Sequence, residues 1–264
     1  MSLAFAHSPE RSTASLQIAT GRMKASFPCT FSGMPFDRLV AEGVLVAVFA
    51  LDDWRACAAD AFEVLDARER DRVQRQRQEK HRNSLALAYA LHRFVLANVM
   101  GLSAERVPLA RDVRGRPVLE GERIETSLSH ADDYAALAIS MHGPVGVDIE
   151  PVHRATVMPD IAERICHGDE LARIATLDDA SQRLALLDLW VRKEAFLKAA
   201  GVGLAREMDT FALPEGHAHA LHHGQPPQVV VDLLDLGPTV ACAVARSPGQ
   251  GCISGWVRLA QAGG

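Results

Sequence analysis

Two short segments hold the residues best suited to polar chemistry. In Gly146-Val-Asp-Ile-Glu-Pro151, apolar and acidic residues alternate. An extended backbone sends successive side chains to opposite faces, so Val147 and Ile149 share one face and Asp148 and Glu150 the other. Two carboxylates that close repel each other unless solvent or a cation compensates. Two readings fit. One is the acidic outer face of a half-exposed strand. The other is a hard-cation site, because carboxylate oxygens suit Mg2+, an ion that usually shares a substrate phosphate.

The second segment is Trp190-Val-Arg-Lys-Glu-Ala-Phe-Leu-Lys-Ala199. At helical spacing the stripe Leu184, Leu187, Val191 continues into Glu194 and Lys198. An exposed Glu-to-Lys pair four residues apart would account for this, at about 0.2–0.5 kcal/mol. Against it, Leu186, Trp190 and Leu197 make the rest of the helix apolar, and charges on a buried face need partners.

Weaker signals surround these two. Thr126-Ser-Leu-Ser-His-Ala131 reads as a turn just before a strand, where a hydroxyl and an imidazole can meet phosphate oxygens. Gly115-Arg-Pro117 is a turn carrying one guanidinium. Residues 68–82 hold six arginines and a lysine against three acids, either a solvated helix face or an anion-attracting rim. His217, His219, His222 and His223 read as a surface loop. The chain has no Walker A loop, GxGxxG, HExxH or EF-hand.

The elements that must position these groups follow from periodicity and punctuation. Residues 44–51 read as a buried strand, 60–82 as charged helix, and 84–100 as an amphipathic helix stopped by Gly101. Residues 102–119 read as loop, then 134–140 and 145–150 as strands joined by a turn. A helix over 180–199 follows, capped by Asp178 or Asp179 and stopped by Gly201. Strands at 228–232, 239–245 and 252–258 complete the chain. Helix then antiparallel strands, twice over, predicts an α+β fold of two similar halves, 44–143 and 144–264. Residues 1–43 lack a sustained period and read as a poorly ordered extension.

Composition sets the outer bounds. The 264 residues carry 28 basic and 33 acidic side chains, net −5, which argues against a general nucleic-acid binder. The longest apolar run, residues 44–51, is far short of the roughly 18 residues a spanning helix needs. Five cysteines with no CxxC pair argue against a disulfide framework or thiolate zinc site and fit the cytoplasm.

Taken together, Gly146-Val-Asp-Ile-Glu150 and, forty residues on, Trp190-x-x-Lys-Glu-Ala-x-x-Lys198 resemble the phosphopantetheinyl transferase family, of the surfactin-synthetase-activating type. Ser129-His130 and Gly115-Arg-Pro117 fall in the family's order. Where the family commonly has Phe-Asn before the Ser-His pair, this chain has Thr126-Ser127. The resemblance covers about residues 44–258 and implies a fold of two halves related by a pseudo-two-fold axis, with coenzyme A between them. It implies transfer of 4′-phosphopantetheine to a serine of an apo acyl or peptidyl carrier protein, releasing adenosine 3′,5′-bisphosphate. By motif match, Asp148, Glu150 and Glu194 would hold Mg2+ against the pyrophosphate, and Lys198 would neutralise the departing phosphate. Ser129, His130, Arg116, Pro117 and Lys193 would contact the nucleotide, and Arg82 would meet its 3′-phosphate. Glu194, Lys198 and His130 form the expected catalytic set. The carrier is typically acidic, so the arginine-rich 68–82 segment is a candidate docking face. A monomer is expected, since both halves lie in one chain. Two alternatives make other predictions: a non-catalytic carrier or nucleotide module would bind without turnover, and a metal-dependent phosphohydrolase would cleave coenzyme A with no acceptor.

Overall fold

The computed structural model describes residues 16–17, 38–39, 42–202, 206–222 and 225–258. Most of the expected 1–43 extension lies outside these residues. Among them, β1 (Leu16–Gln17) runs parallel to residues 257–258.

The chain builds β2 (Gly43–Ala50), a 3-10 segment, then helices α1 (Ala58–Val64), α2 (Ala67–Gln74) and α3 (Glu79–Met100). The hairpin strands β3 (Leu109–Arg111) and β4 (Pro117–Leu119) precede β5 (Glu125–Ala131), β6 (Tyr134–Ser140) and β7 (Val145–Pro151). Short helices α4 (Ala162–Ile165) and α5 (Gly168–Ile174) lead to the long α6 (Asp179–Ala200). The strands β8 (His219–His222), β9 (Gln225–Leu233), β10 (Val240–Arg246) and β11 (Gly251–Arg258) follow.

The described strands form two large sheets, ordered β1-β11-β2-β6-β5 and β7-β10-β9-β8, and the small two-stranded sheet β3-β4. The two large sheets pack face to face. Val44, Val46, Val48, Ala136 and Ala138 of the first meet Val145, Val147, Ile149, Val240, Cys242 and Val244 of the second. The outer face of the first sheet, with Leu45, Phe49, Leu137 and Ile139, is covered by α1 to α3. The outer face of the second, with Val231, Ala241 and Ala243, is covered by α6. A strand covered on both faces needs no alternation, which is why residues 44–51 read as one apolar run.

Several expectations need correction. The 60–82 helix is three pieces, broken after Val64 and again after Gln74. Asp66 and Glu69 restart it with a reciprocal capping box. The 102–119 loop contains the β3–β4 hairpin. β11, assigned by position to the second half, is hydrogen-bonded alongside β2 in the first sheet. The long helices match closely: α3 and α6 both end on a left-handed glycine, Gly101 at φ 66° and Gly201 at φ 65°. Asp178 caps α6 by accepting from Ala180 N and Ser181 N. The four described cysteines are free thiols. No helix of the described residues is long and apolar enough to cross a membrane.

Candidate active site

Alternation along β7 turns Val147 and Ile149 into the core between the sheets and Asp148 and Glu150 outward, under α6 rather than into solvent. Gly146 makes that cover possible. A Cβ at this position would overlap the Ala195 carbonyl oxygen and stand 2.5 Å from Ala199 N, so only glycine lets α6 lie directly on β7. Three positions on α6 spaced four apart, Trp190, Glu194 and Lys198, then share the face beside Asp148.

These residues and Leu128, Ser129 and His130 of β5 line one cleft of about 240 Å3. The segment expected as a turn before a strand is itself the strand β5, which lies along the edge of β7. Ser127 Oγ accepts the Val147 N–H at 3.1 Å and so ties the two sheets together. The Thr126 hydroxyl donates to Ala138 O and is therefore free to accept from the buried His92 ring at 2.7 Å. The two residues that replace the family's Phe-Asn are thus employed in joining strands.

The chemistry centres on Asp148, which is only 4% exposed. Its Oδ1 accepts from Ser129 Oγ at 2.7 Å and from Lys198 Nζ at 2.6 Å. Its Oδ2 is buried with no hydrogen bond, as are Glu194 Oε1 and Glu150 Oε2. Glu150 Oε2 does have an ion-pair partner, Arg154 Nε at 3.2 Å. Burial first, and then the charge of Asp148, push both Glu150 and Glu194 up to about 7. His130 is an exposed residue of β5. Crowding by the protein, then the charges of Lys198, Arg111 and Arg72, hold its imidazole below the ordinary value.

Three buried carboxylate oxygens without hydrogen bonds, aimed at one cleft, fit a hard divalent cation. As the side chains lie, no group of three or more His, Cys, Asp or Glu among the described residues is gathered closely enough to hold a metal ion.

The remaining expected contacts scatter. Arg116 lies against Gly201, at the C-terminal end of α6, and pairs with Glu125 at 3.2 Å. Pro117 opens β4 beside it. Arg82 is spent on the carbonyls of Gln76 and Arg77. Lys193 is fully buried on another side of α6, held by Glu170 and three backbone carbonyls, and does not reach the cleft. Arg70, in the candidate docking segment, caps the carbonyls of Phe62 and Glu63. His217 and His219 donate to the Glu215 and Pro214 carbonyls, His219 and His222 lie in β8 rather than in a surface loop, and among the described residues the histidines gather no metal site.

One cation, Arg111, escapes the motif reading, and a second, Arg72, reads only as part of the basic 68–82 run. Arg111 stacks on Tyr89 with its Cζ 4.8 Å from the ring centroid, donates to Gly115 O at 2.8 Å, and keeps Nη2 buried without a partner. Arg72 reaches the same Gly115 turn. The one available signal was the β3–β4 hairpin, which folds Arg111 back opposite Pro117.

The structure is thus a layered α+β protein with a cleft that gathers three carboxylates and a lysine. Comparison with known proteins makes this specific. Residues 144–243 match the 4′-phosphopantetheinyl transferase superfamily model, and residues 52–142 the model of a 4′-phosphopantetheinyl transferase N-terminal part. The chain belongs to the 4′-phosphopantetheinyl transferase superfamily, a class of enzymes. Among its relatives is the 4′-phosphopantetheinyl transferase gsp of Aneurinibacillus migulanus, 28% identical over 149 residues, 56% of this chain and 61% of that one. HetI of Nostoc sp. is 26% identical over 173 residues, 64% of this chain and 73% of that one. The mouse L-aminoadipate-semialdehyde dehydrogenase-phosphopantetheinyl transferase is 27% identical over 183 residues, 63% and 59% of the two chains. The aligned stretch thus covers less than two thirds of the first of these relatives.

Proposed function

We propose that the protein transfers 4′-phosphopantetheine from coenzyme A to a serine of an apo acyl or peptidyl carrier protein, with Mg2+ as the metal. The observation that carries this reading is the convergence of Asp148, Glu150, Glu194 and Lys198, from one strand and one helix, on a single cleft in a chain of this superfamily. Asp148, Glu150 and Glu194 would hold the ion, which when bound supplies positive charge against the pyrophosphate oxygens.

The residues of the chain do the rest. Lys198, already 2.6 Å from Asp148, shields the charge that grows on the departing adenosine 3′,5′-bisphosphate as the pyrophosphate P–O bond breaks. Ser129 orients Asp148 through its hydroxyl. The carrier serine Oγ bonds to the phosphorus that bears pantetheine, and Glu194 or a water in the cleft takes its proton. Most of the catalysis is positioning and charge stabilisation, as in other phosphoryl transfers.

Nucleotide recognition falls to His130 with Arg72 and Arg111, whose charges converge on it, and to Arg116. Arg72→Ala is expected to raise the coenzyme A KM about tenfold or more, the worth of one charge-assisted hydrogen bond, with kcat within about threefold. Steady-state kinetics at varied coenzyme A checks this, and an unchanged KM would remove Arg72 from the site. The two halves, each a sheet under a 22-residue helix, are read as pseudo-two-fold partners. A cytoplasmic monomer is consistent with free thiols and a cleft that one chain builds alone.

Mass spectrometry of apo carriers incubated with the protein, coenzyme A and Mg2+ tests the reading. One phosphopantetheine should be added per carrier, and a chelator should stop it. Coenzyme A cleavage without a carrier would favour a phosphohydrolase; binding without turnover would favour a non-catalytic module.

A further inference from the structure

Two buried cations occupy the same place in the two long helices. Arg93 is the fifteenth residue of α3 and Lys193 the fifteenth of α6, and each helix is 22 residues long. Arg93 donates to the Glu69 and Asp66 carboxylates at 2.6 Å, and to the carbonyls of Ala104 and Val107, which follow α3. Lys193 donates to Glu170 at 2.6 Å and, at 2.8 Å, to the carbonyls of Ile165, Met208 and Phe211; the last two follow α6. Glu69 and Glu170 are each the third residue of the short helix before the long one, and each closes a capping box there. In both halves, then, a central cation ties the preceding short helix to the segment that comes after the long helix.

The two copies differ in what the long helix carries. α3 supplies no acid to the cleft, whereas α6 supplies Trp190, Glu194 and Lys198. Lys193 precedes Glu194, so successive side chains point about 100° apart around the helix. Clamping one from the far side fixes the rotation at which the other meets the cleft. Glu170 is anchored in turn by the N–H groups of Leu213 and His167, so the clamp is built on backbone rather than on loose side chains.

We propose that Lys193 is a positioning residue: clamped between α5 and the 208–211 segment, it sets the rotation of α6 and with it the aim of Glu194, without touching coenzyme A. This deepens the transferase reading and rests on it. All the lysine's donors are spent inside the protein and none of its surface is open to a ligand.

The test compares wild type, Lys193→Met, Lys193→Met/Glu170→Gln, and the matching Arg93→Met/Glu69→Gln in the other half. Lys193→Met leaves a buried carboxylate unpaired and is expected to lower Tm; adding Glu170→Gln restores most of it. Even so, the double variant should keep a kcat reduced about a hundredfold, because misaimed groups catalyse poorly. It should also need about tenfold more Mg2+ for half-maximal transfer, with the coenzyme A KM within about threefold. The Arg93 pair should leave the Mg2+ requirement at the wild-type value. A calorimetric Mn2+ titration makes the same comparison without turnover, so an inactive wild type would defeat the transferase reading alone. Wild-type metal affinity in the stable Lys193 double variant would overturn the proposal, as would a coenzyme A KM raised tenfold with metal affinity unchanged.

Discussion

Glu194→Gln is expected to lower carrier modification at least about a hundredfold while making the chelated protein more stable above neutral pH. The loss follows from removing one of three carboxylates around the cleft. The gain follows from linkage. Glu194 and Glu150 ionise at about 7 in the folded chain, against an ordinary value of 4.5. Between those limits the folded state binds more protons than the unfolded state. The stability these two groups contribute is therefore complete below about pH 4.5 and is lost as pH rises through 7. Glutamine cannot ionise, so the variant escapes half of that loss. Thermal melts of both proteins in chelator, from pH 5 to pH 8, should show a shallower decline for Glu194→Gln, each kcal/mol appearing as about 2–4 °C. Parallel declines, or near-normal turnover by the variant, would contradict the assignment. Burial thus leaves the two glutamates a destabilising pair once they ionise.

Gly146→Ala should produce the second large effect from a residue that bears no functional group. Its methyl would meet backbone atoms of Ala195 and Ala199, which cannot rotate out of the way as a side chain could. Overpacking of this kind costs about 1–3 kcal/mol. More telling is where the strain falls: Ala195 adjoins Glu194 and Ala199 adjoins Lys198, so lifting α6 draws both groups away from Asp148. A kcat loss of about a hundredfold is expected at a temperature where the variant is still folded by circular dichroism. Wild-type kcat and Tm together would mean that close contact between α6 and β7 is not what assembles the cleft.

Much of this was legible because local rules decided it. The alternation of Val147, Asp148, Ile149 and Glu150 assigned faces correctly, and Gly101 and Gly201 marked the helix ends. What alternation could not tell was that the acidic face lies beneath a helix, since strand period is blind to what packs on either side. Glycine at 146 was the clue, and its meaning depends on α6, fifty residues away. Lys193 shows the opposite failure. Adjacency to Glu194 made it look like a nucleotide contact, yet a step of one residue turns a side chain to a different side of a helix, here into four oxygens. Hydroxyl-rich sequence mimics a turn, so Ser129 and His130 read as lying before a strand rather than in it. β5 is an extended edge strand whose serines pair with β7 instead. The return of β11 to the first sheet is a long-range pairing that no local pattern encodes.

Everything in the proposed chemistry depends on one ion shared by three acids. Anomalous diffraction from crystals grown with coenzyme A and Mn2+ tests this most directly. The account predicts a single peak bonded to oxygens of Asp148, Glu150 and Glu194 and to the pyrophosphate. A peak elsewhere, or one that engages β7 while Glu194 stays turned away, would contradict it.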